Sequence, residues 1–161
     1  QTGVLIRAYA YIAALGPDGL RDVSEKAVLA ANYVAARLNE HYAFPFKGPY
    51  AHEFLIVPKF TRQGVTELDV AKRLIDFGIH PPTMSWPVPH CLMIEPTETE
   101  SLATLDAFAD TLIRIADEAA TQPERLHAAP HCAPVARLDE VGAARKPELR
   151  WRAGSGSLLP E

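Results

Sequence analysis

The sequence predicts an α/β (α+β) two-layer sandwich, with helices packed on a small, largely antiparallel sheet. Three observations predict it. Apolar residues recur at helical spacing in four stretches, two compact apolar runs of strand type lie among them, and the order is helix, helix, strand, helix, strand, helix. So few strands make a small sheet, which needs helices to cover it. At 161 residues, with 48% apolar and 22% charged side chains, the chain can build one domain with a real core.

The first element is Val4–Leu15, stopped by Gly16-Pro17. It is apolar nearly all round, so it expects burial on every side and hence more protein against it, either a partner or the rest of a longer polypeptide. Asp22 with Glu25 reads as a capping box opening a second helix over 22–41, with Val28, Ala31, Ala35 and Leu38 inward. Phe44 to Gly48 reads as a strand edge. "HEFLIVPKF" (52–60) is the clearest strand, and Pro58 marks an edge or a bulge. Thr66 caps a third helix running to Phe77, with Leu68, Ala71, Leu74 and Ile75 inward and Gly78 in the helix-ending position.

"CLMIE" (91–95) is the second strand. Thr97 and Glu100 pair as another capping box, and the last long helix runs to about Ala120 with Leu102, Leu105, Phe108, Leu112, Ala116 and Ala119 on one face. Residues 1–121 thus form the domain. From Gln122 the periodicity is lost, so 122–161 reads as an extended tail wrapping a surface, pinned by Trp151, with 153–161 disordered.

A net charge of −4 with scattered basic residues gives no footprint for nucleic acid. No apolar run reaches the roughly 20 residues that span a bilayer, so no membrane partner is expected. Two cysteines make no disulfide framework and no signal-peptide pattern is visible, which points to a reducing cytoplasm.

Six histidines invite a metal reading, and spacing argues against it. Pro130 separates His127 from His131, and the adjacent pairs His90-Cys91 and His131-Cys132 would point to opposite sides of a strand. Cys91 opens an apolar strand and reads as a small buried hydrophobe rather than a nucleophile. No phosphate-cradling glycine loop occurs. Of Lys26, Lys47, Lys59, Lys72 and Lys146, none sits in the desolvated setting a Schiff-base lysine needs; Lys47, between Phe46 and Gly48, comes nearest.

Glu98 and Glu100 suit the positive end of a helix dipole. Glu95 differs, because it ends an apolar strand before Pro96 and is expected partly buried, with Thr97 and Thr99 in reach as partners. The proline-rich stretch "HPPTMSWPVP" (80–89) joins a Gly-terminated helix to a buried strand, so it reads as an ordered loop rather than a spacer.

Three segments together resemble one family: "GVLIRAYAYIAALGPDGLRDVSEKAVLAANYVAARL", "AHEFLIVPKF…TELDVAKRLIDFGIHPPTMSWPV" and "LMIEPTETESLATLDAFADTLIRIADEA". They are similar to the C-terminal part of glycine dehydrogenase (decarboxylating), the P-protein of the glycine cleavage system. The ending "APHCAPVARLDEVGAARKPELRW" resembles that of the second subunit of the two-subunit bacterial form.

The resemblance implies the small C-terminal domain of a fold-type I enzyme dependent on pyridoxal phosphate (PLP). That enzyme decarboxylates glycine and passes the aminomethyl group to the lipoyl arm of H-protein. It also implies, as partners, the upstream large domain or a first P-protein subunit and lipoylated H-protein, with self-association through the apolar first helix if that domain is missing. The family's Schiff-base lysine has no counterpart here, so no PLP is expected on this chain alone, nor any activity; the alternative is a stand-alone non-catalytic module that binds a partner subunit. His80, Pro81, Pro82, Thr83 and Met84 match the family's HxPT segment, and Glu95, Pro96, Thr97 and Glu98 match its EPTE. These are the implied cleft-lining residues, with His52 and Glu53 in second rank.

Overall fold

A computed structural model of the chain describes residues 1–60 and 64–150. The first helix, α1, spans Thr2–Leu38 but breaks at Gly16, whose φ of 64° and ψ of −176° are not helical. The break stands where Gly16-Pro17 predicts it. The second half does not wait for Asp22, however. Pro17 starts it at once, its fixed φ suiting a first helical position. Asp22 and Glu25 lie inside the helix and pair along it, Lys26 Nζ to Asp22 at 2.6 Å and Arg21 Nε to Glu25 at 2.8 Å. The buried stripe is Ala30, Ala31, Val34, Ala35 and Leu38, while Val28 turns to the surface.

Strands β1 (Tyr42–Ala43), β2 (Phe54–Pro58), β3 (Thr83–Met84) and β4 (Leu92–Ile94) form one sheet in the order β1-β2-β4-β3. Every pairing is antiparallel, with Tyr42 opposite Pro58, Phe54 opposite Ile94 and Thr83 opposite Met93. The edge strand expected at Phe44–Gly48 therefore lies just before it. The proline loop hides β3, a strand too short for any periodicity to show.

Helix α2 (Glu67–Ile75) opens on the expected Thr66, in a capping box closed by Asp69. It ends before Gly78, whose φ of 73° is left-handed and suits glycine. Helix α3 (Leu102–Thr121) takes a different cap from the one expected. Ser101 accepts from the Thr104 N–H at 3.1 Å, whereas Thr97 Oγ1 bonds Thr99 Oγ1 at 2.7 Å inside the preceding turn. Ser101 wins because the chain leaving Pro96 needs that turn before it can enter the helix.

α3 packs on α1, α2 and the following short helix α4 (Pro123–His127), and a single core joins Val34, Leu38, Ile56, Leu74, Leu92, Leu112, Ile115 and Leu126. Each such side chain contributes about 1.5–3 kcal/mol by leaving water. Tyr42 is wholly buried there, and its hydroxyl donates to the Leu112 carbonyl at 2.8 Å. Burial pushes its phenol far up, so it stays neutral. Tyr42→Phe is expected to lower the unfolding free energy by about 1 kcal/mol, read as a lower urea midpoint at unchanged slope.

The stretch after Gln122, expected as extended chain, carries α4 and a further helix α5 (Glu140–Arg145). Trp151 and residues 153–161 lie outside the described residues. The tail is tied to α2 and its end by two carboxylates. Asp76 Oδ1 accepts from the backbone N–H groups of His131 and Cys132, the latter at 2.8 Å. Asp69 Oδ1 accepts from Arg137 Nη2 at 2.6 Å, and Arg137 also donates to the Leu126 and Ala129 carbonyls. Among the described residues no helix is long and apolar enough to cross a membrane.

Candidate functional site

Two grooves flank the turn Glu95-Pro96 that leaves β4. The larger, about 610 Å³, lies between Phe77 just after α2, His80–Thr83, the end of β4 and the first turns of α3. The smaller, about 340 Å³, lies between the second half of α1, Ala51-His52 and Glu95–Glu98. Glu95 and Pro96 line both.

Local rules explain how the walls arise. Gly78 turns the chain off α2, and Ile79 N–H closes the end on the Leu74 carbonyl at 3.1 Å. His80-Pro81-Pro82 then runs extended, since proline fixes φ and offers no N–H to pair. Pairing of β3 with β4 brings Thr83 beside Met93, next to the strand end that carries Glu95. Along 94–96 burial alternates: Ile94 and Pro96 are buried and Glu95 points out.

The predicted residues divide accordingly. His80, Pro81, Pro82, Thr83 and Glu95 line the larger groove; His52, Glu95, Thr97 and Glu98 line the smaller. Met84 and Glu53 line neither, Met84 being exposed on the edge strand opposite Leu92. Glu95, expected partly buried, leaves 53% of its side chain in solvent, because strand alternation puts it on the outer side. Its partner is not Thr97 or Thr99 but His52, whose Nε2 stands 3.8 Å from Oε1. A pair so long and so wet contributes little.

Glu98 has a firmer partner, because its Oε1 accepts from the Tyr11 hydroxyl at 3.0 Å. That hydrogen bond raises the phenol's pKa. Tyr11 has no signal in the sequence, since 87 residues separate the two groups.

A second cluster also escaped sequence reasoning. Glu67 accepts from Ser85 Oγ at 2.6 Å and faces His90 Nδ1 at 3.3 Å, so one carboxylate holds both ends of the loop 85–90. Both residues take positive φ, 53° and 63°, without being glycine. Burial pushes the Glu67 carboxyl up, but hydrogen bonds from Ser85, the backbone and His90 outweigh it and hold it below its ordinary value. Cys91 beside them is fully buried, as expected of a small hydrophobe.

Chemically, the groove walls offer carboxylates and imidazoles: Glu95, Glu98, Glu100, His52 and His80. Among the described residues no lysine or arginine lines either groove. Among the described residues no group of three or more His, Cys, Asp or Glu side chains could hold a metal ion.

A family profile described as "Glycine dehydrogenase, C-terminal domain" matches residues 23–131. The chain belongs to the glycine dehydrogenase C-terminal domain family. The match begins after the break at Gly16 and covers the sheet and the residues lining both grooves. The α+β fold and the family expected from the sequence are thus both borne out.

Curated relatives agree. The chain is 53% identical over 92% of its length to a probable glycine dehydrogenase (decarboxylating) subunit 2 of Bacillus licheniformis, and equally identical over 93% to that of Bacillus cytotoxicus and over 92% to that of Staphylococcus aureus. It spans 31% of each relative's length, about a third. Among solved structures it is similar to glycine decarboxylase (P-protein) of the glycine cleavage system in inhibitor-bound form. That likeness has a TM-score of 0.56 and 26% identity, covering 66% of this chain and 24% of the other.

Proposed function

We propose that this glycine dehydrogenase C-terminal domain forms one wall of the active-site cleft of a PLP-dependent glycine decarboxylase. That enzyme would pass glycine's aminomethyl group to the lipoyl arm of H-protein. One observation carries the reading: the two family-like motifs meet at two adjoining grooves, His80–Thr83 lining the larger, Thr97 and Glu98 the smaller, and Glu95 and Pro96 shared by both. Such convergence of polar groups on an apolar concavity is what a binding site requires.

PLP would supply the electron sink for decarboxylation, but the residues here do not fit it. Lys26 pairs with Asp22 on the outside of α1, Lys59 points at the Asn39 and Glu40 carbonyls, and none of the five lysines lines a groove. The groove carboxylates would repel a phosphate. The Schiff-base lysine and phosphate clamp therefore belong to protein outside this chain, in the upstream domain or a first P-protein subunit. In this reading His80, Pro81, Pro82, Thr83, Glu95, Thr97 and Glu98 shape the cleft wall, and His52, Glu53 and Met84 its rim or the docking seam.

A second reading, a stand-alone non-catalytic module that binds a partner subunit, draws on the first half of α1. There Leu5, Ile6 and Tyr9 are 69%, 62% and 76% exposed, an apolar surface that expects a cover. Without one, self-association is expected.

Incubated with PLP and glycine, the chain alone is expected to release no carbon dioxide and to retain no covalent lysine adduct after borohydride reduction. An adduct on any of its lysines would overturn that expectation. Co-expression with the upstream domain and the first subunit, followed by pull-down with lipoylated H-protein, separates the readings. Decarboxylation restored only by both parts supports the cleft wall, and complex formation without activity supports the module.

A further inference from the structure

The first half of α1 is exposed from residue 1 to residue 14, so core packing does not set its direction. Two features set it instead. One is Gly16, whose positive φ with extended ψ is a combination essentially confined to glycine. The other is the hydrogen bond from Tyr11 to Glu98, which joins the segment to the turn walling the smaller groove.

We propose that Gly16 and the Tyr11–Glu98 hydrogen bond act as hinge and latch, making Glu98 a positioning residue that fixes where segment 2–15 presents its apolar face.

The geometry at Gly16 shows how little else fixes the angle. A Cβ there would meet no atom within 4 Å, so only the backbone conformation resists a side chain. The extended ψ is what Pro17 imposes on its predecessor. An L-residue would keep that ψ and move φ to negative values, a rotation of roughly 120° or more about one bond. Such a swing carries Tyr11 away from Glu98.

The latch is a single hydrogen bond at the surface, and it holds the segment in the direction that the hinge sets. The Glu98 carboxylate also raises the Tyr11 phenol's pKa, in keeping with a phenol that donates to a carboxylate. The hinge and latch stand on these contacts alone. That the helix face so aimed is the docking face rests on the reading above.

Distances between spin labels test the device in the full chain. Ala8→Cys and Ala120→Cys, both at exposed positions, carry the labels; Cys132→Ser removes the exposed native thiol, and Cys91 is buried. Labelled protein is diluted in excess unlabelled chain, so that self-association adds no distances. The parent is expected to give one narrow distribution. Tyr11→Phe and Glu98→Gln should each broaden it by twofold or more, and Gly16→Ala should move its mean. Ser24→Ala, on the same groove wall but outside the latch, should leave it unchanged.

Distributions for Tyr11→Phe and Glu98→Gln that overlay the parent would overturn the proposal, as would a Gly16→Ala distribution centred on the parent mean. Tyr11 is exposed, so its phenylalanine variant leaves the core intact and keeps the test valid even if Gly16→Ala folds poorly. The pull-down reports separately on the docking role.

Discussion

Arg73→Ala is expected to lower the unfolding free energy by about 3–5 kcal/mol, seen as a fall in the urea midpoint. Arg73 is the centre of a buried ion network. Its Nε and Nη2 reach Glu118 at 2.8 and 3.1 Å, and its Nη1 reaches Asp76 at 2.8 Å. All three side chains are nearly shut off from water, at 5%, 9% and 2% exposure. The guanidinium also lies 4.7 Å above the Phe77 ring, a wall of the larger groove. Removing it leaves two buried carboxylates short of their main cation. Arg114 at 3.2 Å relieves Glu118 in part, and the tail N–H groups relieve Asp76.

The loss should come from stranded charge rather than from lost packing. Adding Glu118→Leu to Arg73→Met should therefore recover part of the stability that Arg73→Met loses alone. Strictly additive losses in that cycle would show that packing dominates.

Acid is expected to destabilise the fold through the same carboxylates. Glu118 is held below its ordinary 4.5 chiefly by the hydrogen bond from Arg73. Burial pushes Asp76 and Asp69 up from 3.8, but hydrogen bonds outweigh it: from Cys132, Arg73 and His131 in the first case, from Thr66 and Arg137 in the second. Glu67 behaves alike. Folded pKa values below the unfolded ones mean that the unfolded chain binds more protons in this window. The stabilisation is fully present above about pH 4.5 and is lost as pH falls through the folded values.

The urea midpoint should then be flat near neutrality and drop steeply below about pH 4.5. Because Asp76 holds the His131 and Cys132 amides, the protection of those two amides relative to their intrinsic exchange rates should fall on acidification before that of α3 does. Asp76→Asn should start less stable at neutral pH and show a shallower acid slope. A midpoint unchanged down to about pH 3 would show that these carboxylates stabilise nothing.

Local chemistry was readable residue by residue. Thr66 and Gly78 bracket α2 because a side-chain acceptor and a left-handed glycine act within one turn of the chain. Gly16-Pro17 marks the break in α1 for the same reason. Capping was misread where the pattern was right and the path wrong. Asp22 and Thr97 each have an acid three residues on, but Pro17 had already started one helix and the turn after Pro96 delayed the other.

The site was legible as motifs but not as a shape. His80–Thr83 and Glu95–Glu98 could be singled out, yet two-residue β3 has no period to detect, and it is the pairing that carries the first motif to the second. Glu95 facing water, Met84 lying outside both grooves and Tyr11 bonding Glu98 follow from pairing and packing between distant segments.

By itself, then, the sequence determined the α+β class and the family and singled out candidate groove residues, because composition, periodicity and short motifs act over a few residues. Only the tertiary structure decided which of them meet. It set Glu98 on Tyr11, Asp76 on the tail and Glu118 on Arg73, contacts whose partners stand 87, 55 and 45 residues apart. No local spacing encodes such pairs; they exist once a shared core has fixed the helices and strands that carry them.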